Sequence, residues 1–201
     1  MEPSDSKKLV LRTGDALIAV DIQNDFLPEG RLAIPNGDEI IPAFNLYIEA
    51  FQSKGFPIFA TRDWHPPDHV SFKEQGGPWP PHCVVDTDGA QFAPDLHLPE
   101  STVIISKATR VDQDAYSGFQ GTDLDERLRY SGIDRLFIGG LATDYCVLST
   151  VKDAIDLGYK VLLLQDAIRA VNVNPEDEEK AEAEMRSLGA IPIRREILDK
   201  T

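Results

Sequence analysis

The chain has 201 residues, 42% of them hydrophobic, and a formal charge of −14 from 34 acidic against 20 basic side chains. A chain of this length buries roughly 70% of its unfolded surface and needs no covalent staple. Its two cysteines, Cys83 and Cys146, cannot form a disulfide framework and read as reduced thiols of a cytoplasmic protein. The acidic balance argues against nucleic-acid binding, which wants a basic face, and against an anionic membrane surface. No apolar run approaches the ~20 residues that span a bilayer.

Taken in order, short apolar runs alternate with helical stretches. A polar tail over 1–13, without the apolar region of a signal peptide, precedes the first run, 16–20 (ALIAV), which ends at Asp21. Residues 38–54 place Ile41, Phe44, Ile48 and Phe51 on one helical face, and 56–60 (FPIFA) lead to Thr61, Arg62 and Asp63. Residues 102–105 (TVII) lead to Ser106 and Lys107. A helix over 122–130 carries Leu124 and Leu128, with Thr122 as its N-cap. Residues 135–138 (RLFI) reach Gly139-Gly140. The next helix, 143–157, starts at Thr143 as N-cap, shows Val147, Val151, Ala154 and Ile155 on one face, and stops at Gly158. Residues 160–164 (KVLLL) end at Gln165-Asp166. Asn174 caps the last helix with Pro175 at its first position, and Gly189 ends it. Its glutamates read as a solvated face. Residues 190–193 (AIPI) form a weak sixth strand that Pro192 confines to an edge.

Runs apolar on both faces, with helices between them, predict a doubly wound α/β fold. The sheet is mainly parallel and six-stranded, in the order 3-2-1-4-5-6, with helices on both faces and a single domain over 1–201. One segment breaks the pattern. Residues 64–100 have no periodicity, yet they hold seven of the fourteen prolines and all four histidines: His65, His69, His82 and His97. So long a loop in a compact domain is either functional or a missed element, and the proline density favours a rigid, functional loop.

In open parallel sheets, ligands bind outside the carboxyl ends of the strands. The polar residues there are Asp21, Asp63, Lys107, the turn from Ala142 to Cys146, and Asp166. With strands 1 and 4 adjacent, Asp21 and Cys146 face one crevice. Asp63, His65, His69 and His82 offer one oxygen and two or three nitrogens, a set that suits Zn²⁺, Fe²⁺ or Mn²⁺; each histidine taken alone reads equally as a surface residue. Cys146 lies in the first turn of a helix whose N-terminus lowers a thiol pKa, or it is a buried structural cysteine. Asp21 is a base for that thiol, held by Lys107, or it caps a turn with Asn24 and Asp25. Cys83 reads as a packed loop residue rather than a ligand.

Five separated motifs carry a resemblance: ALIAVDIQNDFLPEGRLAIPNGDEI, TRDWHPPDHVSF, GPWPPHCV, SKATRVDQDAYSGFQGT and GGLATDYCVLSTVKDA. From about Asp15 to Ile193 the chain resembles the nicotinamidase branch of the isochorismatase-like cysteine hydrolases. The resemblance implies a triad of Asp21, Lys107 and Cys146, with Cys146 as nucleophile, Asp21 carrying protons and Lys107 favouring the thiolate. It implies an oxyanion hole from the backbone N–H groups of Ala142 and Cys146, with a cis peptide between Leu141 and Ala142. It also implies one divalent metal, zinc or else iron or manganese, held by Asp63, His65 and His82, with His69 as the further histidine of some members. Phe26, Trp79 and Tyr116 match the walls of the ring pocket. The implied activity is hydrolysis of nicotinamide to nicotinate and ammonia through a thioester, in NAD salvage. The alternative is a related amidase for a carbamoyl or ureido substrate. The implied partner is a small carboxamide, with no nucleic acid and no membrane; exposed helices on such sheets admit a homo-oligomer. Two positions depart from the pattern: Leu148 stands where many relatives have Arg, and Asp144-Tyr145 where some have Asp-His.

Overall fold

In a computed structural model, which describes residues 8–198, six strands pair in parallel. They are β1 (Asp15–Val20), β2 (Ile58–Asp63), β3 (Val103–Lys107), β4 (Arg135–Leu141), β5 (Lys160–Arg169) and β6 (Ile191–Ile193). Their order is β3-β2-β1-β4-β5-β6, as the sequence predicts. Every residue of β1 is buried, which is why its run is apolar on both faces. β6 lies at the edge, where Pro192 costs no ladder hydrogen bond.

The helices are α1 (Ile41–Ser53), α2 (Leu124–Tyr130), α3 (Leu148–Asp156) and α4 (Asp177–Leu188). Two apolar clusters flank the sheet. Ile41, Phe44, Tyr47, Ile48 and Phe51 of α1 pack with Leu17, Ala19 and Phe137 on one side. Leu124 and Leu128 of α2, Val151 and Ala154 of α3, and Met185 of α4 pack with Ile18, Val20 and Ile138 on the other. Of the predicted tail, residues 1–7 lie outside the described residues; Leu9 pairs with Leu198, and Arg12 bonds Asp134.

Three local expectations change. The turn before α3 is not capped by Thr143. It is a single π turn over Thr143–Val147, with Val147 N–H donating to Ala142 O at 3.0 Å, and the buried Thr143 hydroxyl makes no hydrogen bond. At α4, Asn174 is not the cap: its N–H donates to Asp177 Oδ2 at 2.8 Å, while Asn172 Oδ1 accepts the Glu178 N–H at 2.9 Å. β5 runs five residues past its apolar stretch, with a register shift opposite Ile138 to Gly140. Asp166 therefore lies inside the strand, where it accepts the Tyr47 hydroxyl and the Arg195 N–H, each at 2.8 Å. It is a structural acceptor, not part of the crevice.

Candidate active site

The carboxyl ends of β1, β2, β3 and β4 lie side by side because the four strands are adjacent and parallel. Val20 pairs with Gly140, which sits at φ +128°, and a Cβ there would lie 2.0 Å from the Val20 carbonyl oxygen. Glycine is the residue that permits both the contact and the conformation. Leu141-Ala142 is a cis peptide. The π turn then brings Cys146 over the end of β1; such turns recur at functional sites.

Lys107, fully buried at the end of β3, is the hub. Its Nζ lies 2.9 Å from Asp21 Oδ2, 3.2 Å from the Ala115 carbonyl oxygen and 3.5 Å from Cys146 Sγ, and it bonds Asp63 Oδ1 as well. Thr61 Oγ1 donates to Asp21 Oδ1 at 2.6 Å. Burial raises the Asp21 pKa, and the neighbouring Asp63 adds to this, against the opposing pull of Lys107 and Thr61. Burial also pushes Asp63 up, but Lys107, His65 and His82 together hold its carboxyl below the usual range. Burial works against the Lys107 charge, yet Asp21, Asp63 and Cys146 keep its pKa well above the ordinary lysine value. The Cys146 thiol is pushed well up by burial and by the two carboxylates, despite Lys107. The expectation of a thiol lowered by a helix N-terminus is therefore corrected.

Asp63, His65 and His82 each present a ligand atom, all within 4.8 Å of one another. His65 Nδ1 bonds the His82 carbonyl oxygen at 3.0 Å, and His82 Nδ1 bonds the Pro80 carbonyl oxygen at 2.8 Å. A carbonyl can only accept, so each Nδ1 donates there, which leaves each Nε2 as the ring nitrogen that can ligate. Burial lowers the His65 pKa to about 4, which keeps the ring neutral. Two imidazole nitrogens and a carboxylate fit a divalent metal. His69 lies tilted against His65 with ring centroids 4.4 Å apart, but its Nδ1 bonds Ser71 Oγ at 2.8 Å and its Nε2 bonds the Gln113 carbonyl oxygen at 3.1 Å. It groups with His65 and Asp114 rather than with the first set. His97 is exposed, and Cys83 is a packed residue with a φ of +46°.

Above these groups is an apolar pocket. Phe26, Trp79 and Tyr116 line it, as do Asp63, His82 and Cys146. Trp79 Nε1 donates to the Tyr116 hydroxyl at 2.9 Å. The sequence does not reveal Leu32, Ile34, Tyr145 and Val171, which complete the wall, or Thr61, which bonds Asp21. Tyr145, edge-on to Trp79 at 5.2 Å, is the one with a signal: it adjoins Cys146.

A model of the isochorismatase domain matches residues 15–197. The chain is 42% identical over 196 residues to a nicotinamidase of Escherichia coli, covering 87% of this chain and 92% of that one. A pyrazinamidase of Pyrococcus horikoshii, solved in complex with zinc, superposes with a TM-score of 0.87 at 54% identity, over 90% of this chain and 99% of that one. A Leishmania infantum homologue, L. infantum PnC1 solved with nicotinate, gives 0.86 at 35% identity, over 93% and 96%. With the match running from β1 to the C-terminal turn, and these relatives covered almost end to end, the chain belongs to the isochorismatase family, in its nicotinamidase branch.

Proposed function

We propose that the chain hydrolyses nicotinamide to nicotinate and ammonia, with Cys146 as nucleophile, Asp21 as proton carrier and Lys107 as the cation that orients both. The observation that carries this is the placement of Lys107 Nζ between Asp21 and Cys146, 2.9 Å and 3.5 Å away, behind a Cys146 that lines an aromatic-walled pocket. Asp63, His65 and His82 would hold one divalent ion, and the related pyrazinamidase solved in complex with zinc favours zinc over iron or manganese. When bound, that ion supplies a Lewis-acid anchor for the pyridine nitrogen.

The chemistry then runs on this chain's own groups. Phe26, Trp79 and Tyr116 clasp the ring and exclude water. Cys146 loses its proton to Asp21 as Sγ attacks the carboxamide carbon. The N–H groups of Ala142 and Cys146 receive the oxyanion. Asp21 returns the proton to the departing ammonia, which leaves a thioester. Water deprotonated by Asp21 attacks the thioester, and the thiol is released with nicotinate. The nucleophile must stay a free thiol, which supports the reading of a cytoplasmic enzyme. One continuous sheet supports the reading of a single domain.

Ammonia release from nicotinamide, pyrazinamide, benzamide and a ureido acid tests this, with Cys146→Ala beside the wild type. The expected result is turnover of the two ring-nitrogen amides and none by Cys146→Ala. Ureido turnover without pyridine turnover would favour the carbamoyl or ureido reading. Normal turnover by Cys146→Ala would refute the thiol mechanism.

A further inference from the structure

The turn that follows Asp21 holds the metal-ligand segments in place. Gln23 is fully buried. Its Nε2 donates to the Asp63 carbonyl at 2.8 Å and to the Ala90 carbonyl at 2.9 Å, while its Oε1 accepts the Asp63 N–H at 2.8 Å. One side-chain amide thus closes both main-chain groups of Asp63, as a neighbouring strand would. Asp25, two residues on, is also buried. Its Oδ2 accepts the N–H of Cys83, the residue after His82, at 2.7 Å, and its Oδ1 accepts the Arg31 N–H at 3.2 Å. A Cβ on Gly89 would fall 2.2 Å from Asp25 Oδ2, so glycine at 89 admits this carboxylate. The two ligand segments also bond each other: His65 N–H donates to the Cys83 carbonyl at 3.0 Å, and Val85 N–H to the His65 carbonyl at 2.9 Å.

Neither Gln23 nor Asp25 lines the pocket, and neither offers an atom to the Asp63, His65, His82 group. We infer that Gln23 and Asp25 are positioning residues for the metal centre, fixing Asp63 and His82 in binding geometry through their backbones. This rests on the metal reading above. The ligand backbones are fixed by hydrogen bonds that no ion supplies, so binding pays little ordering entropy. Without the clasp, Asp63 and the His82 segment must be ordered by the ion itself.

The test uses Zn²⁺ as the probe on metal-stripped protein. Wild type, Gln23→Glu, Asp25→Asn and the ligand variant His82→Ala are compared. Gln23→Glu sets an oxygen in place of the Nε2 donor, against two carbonyls. Asp25→Asn sets an NH₂ against a backbone N–H. Both keep side-chain size, so they carry the comparison where a larger change would not fold. Chelator competition gives zinc affinity, and the gain in Tm on adding zinc gives a second measure. Partners behind metal ligands are worth about 10–100-fold in affinity, and each positioning variant is expected to lose that much, with a smaller zinc-induced Tm gain. A merely structural role would lower the Tm equally with and without zinc and leave affinity within about twofold of wild type; that result overturns the inference. A wild type that binds zinc no better than His82→Ala overturns the metal reading, and the inference with it.

Discussion

Replacing Lys107 by Met should cost more than any other single change at the site. The side chain is fully buried, and its ammonium contacts Asp21, Asp63, the Ala115 carbonyl and Cys146. Methionine refills the stem but leaves Asp21 and Asp63 without a shared cation. Removing one partner of a buried ion pair costs about 3–5 kcal/mol. At about 2–4 °C per kcal/mol for a domain of this size, the metal-free protein should melt roughly 6–20 °C lower by calorimetry. Activity should fall with it, because Asp21 loses its orienting partner; a general acid–base group contributes about 10²–10⁴-fold, so ammonia release should drop at least about 100-fold. Lys107→Arg should not rescue either property, since a planar fork cannot take the place of a compact ammonium hemmed in on four sides. A Met variant that melts within about 2 °C of wild type and turns over within about tenfold of it would refute the ionic account of the site.

Gly140→Ala should collapse soluble yield or lower the unfolding free energy from urea titration by at least about 3 kcal/mol, since its Cβ would meet the Val20 carbonyl oxygen at 2.0 Å in a backbone at φ +128°. Asp15→Ala should destabilise by about 3–5 kcal/mol by orphaning Arg135, whose Nη2 lies 2.6 Å from Asp15 Oδ2. The kcat of its folded fraction should be unchanged, because Asp15 begins the strand that Asp21 follows. Tyr47→Phe should lower stability by about 1.5–3 kcal/mol, seen as a lower Tm, because the half-buried Asp166 loses its hydroxyl donor.

The sheet was legible because burial on both faces leaves a mark on neighbouring residues: ALIAV, RLFI and KVLLL could not be exposed on either side. The polar residues that end those runs pointed to the crevice for the same reason. Asp166 misled because a half-buried carboxylate inside a strand looks like a strand end until its partners, Tyr47 and Arg195, are known. Thr143 and Asn174 misled because capping depends on where the chain turns, and both turns were displaced by one feature each, a π turn and the Asp177 carboxylate. The Gln23 clasp joins residues forty positions apart, and no local pattern reports a contact of that separation. Histidine content alone did not separate His69 from His82; the carbonyl of Gln113 facing His69 Nε2 does.

The two carboxylates that share Lys107 are not interchangeable. Burial raises Asp21, whereas Lys107 and the two histidines hold Asp63 down. Where paired acids are driven apart in this way, the raised one is suited to carry a proton and the lowered one to stay an anion. On the proposed mechanism that suits Asp21 to proton transfer and leaves Asp63 charged for ligation. The thiol follows from the same arithmetic. A helix N-terminus offers an anion about 0.3–1 kcal/mol, at most about 2, and here it must act through a π turn. Against it stand full burial and two carboxylates. A resting thiolate would be a third anion around a single ammonium. On the proposed mechanism the proton therefore leaves Cys146 only as the carboxamide accepts the sulfur's electrons, and it goes to Asp21, the carboxylate whose pKa its surroundings raise on balance.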